Sequence, residues 1–339
     1  MKAMILAAGY GTRLRPVTFM MPKPMVPVCN LPLIGWAVEN FVRAGVRDLI
    51  VNLHHLPEQM ERWLRETYSE KVHFDFSYEP EILGTGGGIR KVRALLQDEE
   101  DFFLVNGDTI QFPRYDDLRA ARKSVDAIAA LTLRHPPESD RFTPVWRDAG
   151  LVTGFGAGSG EALMFAGSHS ISTRVFDYLP EKEFSGVVDE VYMPLLANGK
   201  EKLAAIVDDG LWFDIGTPER YLDGARELVE LIATGKLAAP TGSRVLGDSL
   251  VHNTSSASGA LSRSTVGART TIRGELRDSY VWDDCYVAGS VVLDRCIVGH
   301  GVEISRPMEL RDAIICREDA AIPRDANYER TDGMVIGWI

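Results

Sequence analysis

The residues best suited to chemistry lie near the amino terminus, in the stretch MKAMILAAGYGTRLRPVTFMMPKP. A short apolar run, Ala3 to Ala8, ends abruptly at Gly9-Tyr10-Gly11-Thr12-Arg13, and Lys23 follows between two prolines. A buried strand that opens into a glycine turn presents backbone N–H groups that no Cβ obstructs, which makes a cradle for phosphate oxygens. Arg13 adds a planar fork suited to phosphate, and Lys23 a compact point charge on a flexible stem. The patch is cationic within a chain of net charge -11, so it is not a by-product of composition. Its chemistry is polyphosphate binding. Two common phosphate signatures do not account for it. Leu14 stands where a dinucleotide loop would carry its third glycine, and no Gly-Lys-Ser/Thr follows.

Two aspartates complement the patch. Asp108 follows the apolar run Phe102–Val105 and Gly107, while Asp214 closes Leu211-Trp212-Phe213 and precedes Ile215-Gly216. An aspartate just past a strand end can hold a metal without burying an unpaired charge. Two hard oxygen ligands, with water and phosphate oxygens completing an octahedron, suit Mg2+. A further segment runs from Glu79 into Gly84-Thr85-Gly86-Gly87-Gly88. Glycine this dense works against element stability, since each costs about 1 kcal/mol in an element interior. It implies close backbone approach to something flat or bulky. The adjacent pair His54-His55 does not read as a metal site, because neighbours at a strand end point to opposite sides.

The combination LAAGxGTRLRP…PKP resembles the signature of the sugar-1-phosphate nucleotidyltransferases, the family of GDP-mannose and dTDP-glucose pyrophosphorylases. The resemblance implies transfer of a nucleotidyl group from an NTP to a sugar 1-phosphate, giving NDP-sugar and pyrophosphate, with Mg2+ as cofactor. It implies Arg13, Lys23 and Asp108 as catalytic residues and Asp108 and Asp214 as metal ligands. Gly9, Gly11, Thr12, Arg13, Glu79, Gly84, Thr85, Gly86 and Asn106 fall at nucleotide-binding positions. Glu79 stands where the family places a base-reading side chain. An ionised carboxylate only accepts hydrogen bonds, so it suits a guanine or uracil edge better than adenine or cytosine. Gly167, Asp189 and Glu190 fall at sugar-contacting positions.

The chain departs from the family pattern around the sugar phosphate. The Glu-Lys-Pro that many members carry before the glycine strand is absent, and Pro144 stands near where a sugar-contacting glycine is common. Uridylyltransferases acting on N-acetylmuramate 1-phosphate, whose GGG loop this chain also resembles, likewise lack that lysine. Arg134 and Arg141 are the candidates to replace it. Mannose 1-phosphate with GTP is the first reading. Uridylyl or thymidylyl transfer to another sugar 1-phosphate is the alternative, as is a non-catalytic nucleotide-sugar-binding paralogue. Rival classes are an acyltransferase using His252 or His300 as base, and a nicotinamide oxidoreductase.

The elements that must position these residues follow from periodicity. Pro32 to Ala44 repeats apolar residues at helical spacing, and Gly45 stops it. The run DLIVNL from Asp48 predicts a strand buried on both faces, 58–67 a helix, 72–78 a strand, and 89–96 a helix leading into the strand at Phe102. Further strands are expected over 126–134 and 163–172, with a helix over 188–196. Strands alternating with helices imply an α/β, Rossmann-like, mostly parallel sheet whose ligands sit at the carboxyl ends of the strands. Residues 1–235 are read as this nucleotidyltransferase domain, and 236–243 (KLAAPTGS) as a linker. Over 244–339 aliphatics recur at six-residue intervals, as in Val266 and Ile272, Val281 and Val287, then Val292, Val298 and Ile304. That hexapeptide period marks a parallel β-helix, left-handed by resemblance to many pyrophosphorylases, with closing strands at the tail.

Composition sets outer limits. The 339 residues are 45% apolar and 25% charged, as in a globular protein with a sizeable core. The acidic balance argues against binding to nucleic acid or to an anionic membrane. The 4 cysteines lack CxxC spacing, so no zinc site or disulfide framework is expected. The first apolar run is too short for a signal peptide, and no stretch reaches membrane-spanning length. The expectation is a cytoplasmic enzyme, homo-oligomeric, with an NTP and a sugar 1-phosphate as its partners.

Overall fold

The computed structural model describes residues 1–137 and 142–339, so Arg141 lies outside the described residues. By packing, the chain divides into two compact units. One comprises Met1–Gly9 with Ile34–Trp212, the other Tyr10–Leu33 with Phe213–Ile339. This division falls elsewhere than the linker read at 236–243. The segment after Gly9 and the helix after Thr217 belong with the C-terminal coils, and Ser243 already begins a strand.

In the first unit the described residues form a nine-stranded sheet. Its strands are β1 (Lys2–Leu6), β2 (Asp48–Leu53), β3 (His73–Tyr78), β4 (Asp101–Asn106), β5 (Ala129–Arg134), β6 (Val145–Asp148), β7 (Leu151–Phe155), β8 (Glu161–Ser172) and β9 (Leu203–Val207). They lie in the order β3-β2-β1-β4-β8-β5-β9-β7-β6. β3, β2, β1 and β4 are parallel, and their connections include helices α1 (Leu33–Arg43), α2 (Pro57–Tyr68) and α3 (Gly84–Lys91). β8 runs antiparallel to both neighbours, and β7 is antiparallel to β9 and β6. β5 and β9 are again parallel, so the sheet is mixed: parallel through β3, β2, β1 and β4 and between β5 and β9, antiparallel elsewhere. Parallel neighbours need a long crossover, whereas β6 and β7 are joined by a turn at Ala149-Gly150, both at positive φ.

Burial explains the strand sequences. Ala3, Met4 and Ile5 of β1 are completely buried, as are Phe102 and Leu104 of β4. Such two-sided burial suits continuous apolar runs rather than alternation. Helix α1 buries Leu33, Ile34, Val38 and Phe41, the face its spacing predicts, and Gly45 ends it at positive φ. A buried ion cluster fixes the other side of β4. Asp101 accepts from Arg119 Nε at 2.9 Å and from Arg122 Nη2 at 2.5 Å. Burial pushes the Asp101 carboxyl up, but the bonds and charges of the two arginines outweigh it and hold the group below its usual range.

The second unit is built on a parallel β-helix. Strand pairs step along three faces: Leu250 to Thr265 to Tyr280 to Ile297 to Ile314, Ser256 to Thr271 to Tyr286 to Glu303, and Leu261 to Leu276 to Leu293 to Leu310. Each coil stacks aliphatics into one core with Val251, Val266, Ile272, Val281, Val287, Val298 and Ile304. The period is not uniformly six. Hydrogen bonds between successive coils span 15 residues early and 17 later, because some sides are shorter than a hexapeptide. One expected rung changes accordingly: Leu293 is fully buried where Val292 was read, and Val292 is half-buried.

The coil corners repeat a left-handed residue followed by a small one. Arg263, Asp278, Arg295 and Asp312 all have positive φ, and Ser264, Ser279, Cys296 and Ala313 follow them. Buried hydroxyls absorb the corner amides: Ser264 N–H donates to Ser249 Oγ at 3.1 Å, and Ser279 N–H to Ser264 Oγ at 3.0 Å. A second column does the same, with Thr270 N–H on Ser255 Oγ at 2.9 Å and Cys285 N–H on Thr270 Oγ1 at 3.1 Å. The coil ends are closed by antiparallel strands, Ser243–Leu246 at the start and Met334–Trp338 at the finish. No helix among the described residues is long and apolar enough to cross a membrane.

Candidate active site

In the first unit the site begins at the carboxyl ends of β1, β2 and β3. Asn52, a polar residue inside the apolar run of β2, accepts from Ala7 N–H at 2.6 Å and donates to Glu79 Oε1 at 2.8 Å. Glu79 Oε2 accepts from Leu83 N–H at 3.0 Å, and the Glu79 backbone carbonyl lies 2.8 Å from His54 Nδ1. Glu79 is 3% exposed. The carboxylate expected to read a base edge is thus engaged on both oxygens within the chain. Its local role is to lock three strand ends to the start of the next helix.

That helix is where the structure differs most from the sequence reading. Gly84–Lys91 is α3, so the glycines expected in an open loop form helical turns instead. The close approach they permit is made by the chain itself. A methyl group at Gly84 would stand 2.5 Å from Ser185 O, one at Gly86 2.7 Å from Ser185 Oγ, and one at Gly87 2.3 Å from Glu183 O. Ser185 O accepts from Gly86 N–H at 2.8 Å, and Thr85 Oγ1 accepts from Val187 N–H at 2.8 Å. Segment 183–187 therefore occupies amides that a helix start leaves open. Glycine is kept at 84, 86 and 87 despite its cost in a helix because a Cβ there would collide.

At the end of β4, Asn106 and Asp108 are half-buried around the buried Gly107, whose N–H donates to Leu6 O at 2.8 Å. Gly167, at φ +95°, lies in an irregular stretch of β8, and a Cβ there would stand 2.9 Å from Asn106 Nδ2. Asn106 and Gly167 are thus brought together. Behind them His169 is buried against Phe165 and 3.2 Å from the Tyr192 hydroxyl, and desolvation lowers its pKa to about 3. The imidazole is a neutral packing group. Asp189 is exposed, at the start of a wide helical turn of the π type, Val188–Tyr192. Glu190 pairs with Lys182 at 2.5 Å, and that bond pulls its carboxyl below the ordinary range. Arg134 lies over the Trp212 ring at 5.3 Å and donates to Gly210 O at 3.1 Å.

The second unit carries the remaining candidates. Gly11, at φ +61°, allows Lys23 to pack against it: a Cβ on Gly11 would stand 2.7 Å from Lys23 Cβ. The Gly11 carbonyl accepts from Leu14 N–H at 3.0 Å and from Thr18 Oγ1 at 2.8 Å, so the loop is braced from inside. Lys23 is 7% exposed, whereas Thr12 and Arg13 are exposed. Asp214, half-buried at the end of Trp212–Asp214, is paired with Arg220 in the first turns of α4 (Pro218–Ala233). A methyl at Gly216 would meet Asp214 Oδ1 at 2.8 Å and Arg13 Nη2 at 3.1 Å, so Arg13 and Asp214 crowd round that glycine while Arg220 pairs with Asp214. Arg220 was not singled out from the sequence, although its place just inside the helix capped by Thr217 puts it one turn from Asp214. Asn52 and Ser185 were also missed; the one signal for Asn52 was a lone amide in an apolar strand.

The histidines considered as acyl-transfer bases have structural partners. His252 Nδ1 lies 2.8 Å from Thr254 Oγ1. His300 accepts from Asp283 N–H at 3.2 Å, packs on Trp282, and is held low by desolvation. All four cysteines are free and buried.

A mixed sheet with helical crossovers in the first unit and parallel coils in the second define an α/β protein that carries a β-helix. Residues 2–230 match the nucleotidyl transferase family, and the chain belongs to it. Among curated proteins it is similar to a probable mannose-1-phosphate guanylyltransferase 2 of Oryza sativa subsp. japonica, 30% identical over 330 residues, 93% of this chain and 86% of that one. It is also similar to a mannose-1-phosphate guanyltransferase of Saccharomyces cerevisiae, 31% identical over 265 residues, 75% of this chain and 72% of that one. Among solved structures, HddC from Yersinia pseudotuberculosis superposes with a TM-score of 0.55 at 24% identity, covering 67% of this chain and 99% of that one, which shows the shared fold.

Proposed function

We propose that the protein is a mannose-1-phosphate guanylyltransferase, forming GDP-mannose and pyrophosphate from GTP and mannose 1-phosphate. The observation that carries the proposal is the similarity to proteins of that name along 93% of the chain, coils included. Arg13 and the amides of Gly9 to Thr12 hold the departing β- and γ-phosphates. Lys23 neutralises charge that develops on the α-phosphoryl group. The sugar phosphate is itself the nucleophile, so the protein's contribution is alignment and charge stabilisation. Asn106 and Gly167 border the nucleotide and sugar, α3 and Thr85 shape the base and ribose side, and Asp189 and Glu190 face the sugar.

Asp108 and Asp214 are the proposed Mg2+ ligands. Both are hard carboxylate donors, and Mg2+ takes one or two of these together with water and phosphate oxygens. When bound, the ion supplies charge neutralisation at the reacting phosphates. Buried, free thiols are in keeping with a cytoplasmic setting, and a homo-oligomer is part of the same proposal.

The test is pyrophosphate release from each common NTP against a panel of sugar 1-phosphates. GTP with mannose 1-phosphate should give the highest kcat/KM. Preference for a uridine or thymidine nucleotide would move the protein to the neighbouring specificity, and silence with every pair would end the enzymatic reading. Asp108→Asn should reduce turnover far more than NTP binding.

A further inference from the structure

We propose that Tyr221 and Trp282 are positioning residues for Lys23, and that through them the C-terminal coils hold the lysine's segment in place. The kinetic consequence rests on the nucleotidyltransferase reading; the tether itself does not.

Lys23 opens a tight turn, Lys23–Met25, in which Met25 N–H donates to Pro22 O at 2.8 Å and Val26 N–H to Lys23 O at 3.0 Å. The turn runs directly into a hairpin. Pro27-Val28 pairs with Leu31-Pro32, and the two connecting residues, Cys29 and Asn30, have φ of 54° and 64°. Both values are those a two-residue type I′ turn requires. A hairpin this short has almost no buried surface of its own, and isolated two-stranded hairpins are marginal in water. Something else must hold it.

The coils and α4 supply the hold. The Tyr221 hydroxyl donates to Pro27 O at 2.6 Å, and the Trp282 indole Nε1–H donates to the Tyr221 oxygen at 3.1 Å. An indole N–H can only donate, so the one phenolic proton is committed to Pro27 and the direction of the chain is fixed. Tyr221 is 1% exposed and Trp282 3%, so water cannot replace either bond. At the hairpin tip Asn30 Nδ2 donates to Val266 O, also in the coils, at 3.0 Å, and lies 3.2 Å from Ser243 Oγ. Lys23 has little slack at its other side, where its stem lies against Gly11. A displacement of Pro27 therefore passes through a short, hydrogen-bonded turn to a lysine that is already closely packed.

Tyr280 provides the internal control. It is buried on the same coil, and its hydroxyl donates to Leu222 O of the same helix at 3.3 Å rather than to the hairpin. Tyr221→Phe, Trp282→Phe and Tyr280→Phe are compared in the full chain by steady-state kinetics, thermal unfolding and amide hydrogen exchange over residues 23–33. Tyr221→Phe should lower kcat about tenfold or more while KM for the NTP stays within about twofold, because a positioned cation is lost from the transition state rather than from ground-state binding. Exchange over 23–33 should accelerate. Trp282→Phe should move both readouts the same way by less, and Tyr280→Phe neither, at a similar cost in melting temperature. Unchanged kcat in Tyr221→Phe, unchanged exchange, or an equal kcat loss in Tyr280→Phe would each overturn the proposal. A wild-type protein inactive on every substrate pair would sink the enzymatic reading instead, and the exchange comparison would then decide the tether alone.

Discussion

Asn52 and Glu79 are locked in a pair whose donor and acceptor cannot be exchanged. Asn52 Nδ2 donates to Glu79 Oε1 at 2.8 Å, and the Asn52 carbonyl oxygen cannot rotate into its place because it accepts from Ala7 N–H at 2.6 Å. The other Glu79 oxygen receives Leu83 N–H at 3.0 Å. Two donors thus converge on two oxygens of one buried carboxylate. Glu79→Gln presents an NH2 group to one of them whichever way the amide turns. The expected outcome is a stability loss of about 1–3 kcal/mol, the cost of a buried donor left facing a donor. Base selectivity should stay as it is in wild type. Urea unfolding paired with kcat/KM for GTP and UTP checks both halves, and relaxed base choice with unchanged stability would restore the base-reading role.

The glycines of α3 give a second expectation. A Cβ on Gly87 would stand 2.3 Å from the Glu183 carbonyl oxygen and 2.9 Å from Leu83 Cβ, neither of which is the free end of a flexible chain. Gly87→Ala should destabilise by about 1–3 kcal/mol through overpacking, despite the better helix propensity of alanine. Limited proteolysis should cut earlier within 180–187. A stabilised variant would mean that segment 183–187 does not rest on this helix.

How much of this was legible in the sequence depended on whether a residue's partner was near it in the chain. Strand ends at Gly9, Gly107 and Asp214 could be read because an apolar run stops where its burial stops. Coil rungs such as Val266 and Ile272 could be read because each side repeats the same demand, although the shortened sides put Leu293 rather than Val292 inside. Gly84 to Gly88 looked like a loop because glycine propensity is a local quantity, while the carbonyls of Glu183 and Ser185 that demand it lie far along the chain. The pairing of Asp214 with Arg220, the engagement of Glu79 by Asn52, and the assignment of residues 10–33 to the unit of the coils all depend on tertiary placement. No local pattern encodes them.

His169 makes stability depend on pH in a window of its own. Burial lowers its pKa to about 3 in the folded protein, against about 6.5 for an unfolded chain. Between those values the unfolded state binds a proton that the folded state does not, so stability is fully present above about pH 6.5 and declines as pH falls toward 3, by up to about 1.4 kcal/mol per pH unit. Asp101, held low, acts later: its contribution is present above about pH 4 and is lost as pH falls through its folded value. Exposed His135, raised by Asp209 and Glu161, works in the opposite direction and is screened by solvent. The contribution of His169 is therefore read as a difference. His169→Gln should flatten the stability profile between pH 6.5 and 4.5 relative to wild type, whatever its effect at pH 7. Parallel profiles would show that the imidazole is protonated, or hydrated, in the folded state.

The corner hydroxyls of the coils lead to a prediction about how the β-helix is held together. Ser264 is fully buried; its oxygen accepts from Ser279 N–H at 3.0 Å and its proton goes to Ser262 O at 2.7 Å. Ser264→Ala leaves the Ser279 amide without an acceptor in a place water does not reach, which should cost about 1–3 kcal/mol. Ser264→Thr keeps the oxygen, and threonine already fills the equivalent role at Thr270 in the neighbouring column, so its cost should be smaller. Ser258 is the comparison: exposed, its hydroxyl makes a long 3.5 Å contact to Ile272 O, and Ser258→Ala should fall within about 0.5 kcal/mol of wild type. Urea midpoints for the three variants test the ranking. If Ser264→Ala were as benign as Ser258→Ala, the corner amides would not need the hydroxyl column, and stacking of the aliphatic rungs would be enough to hold one coil on the next.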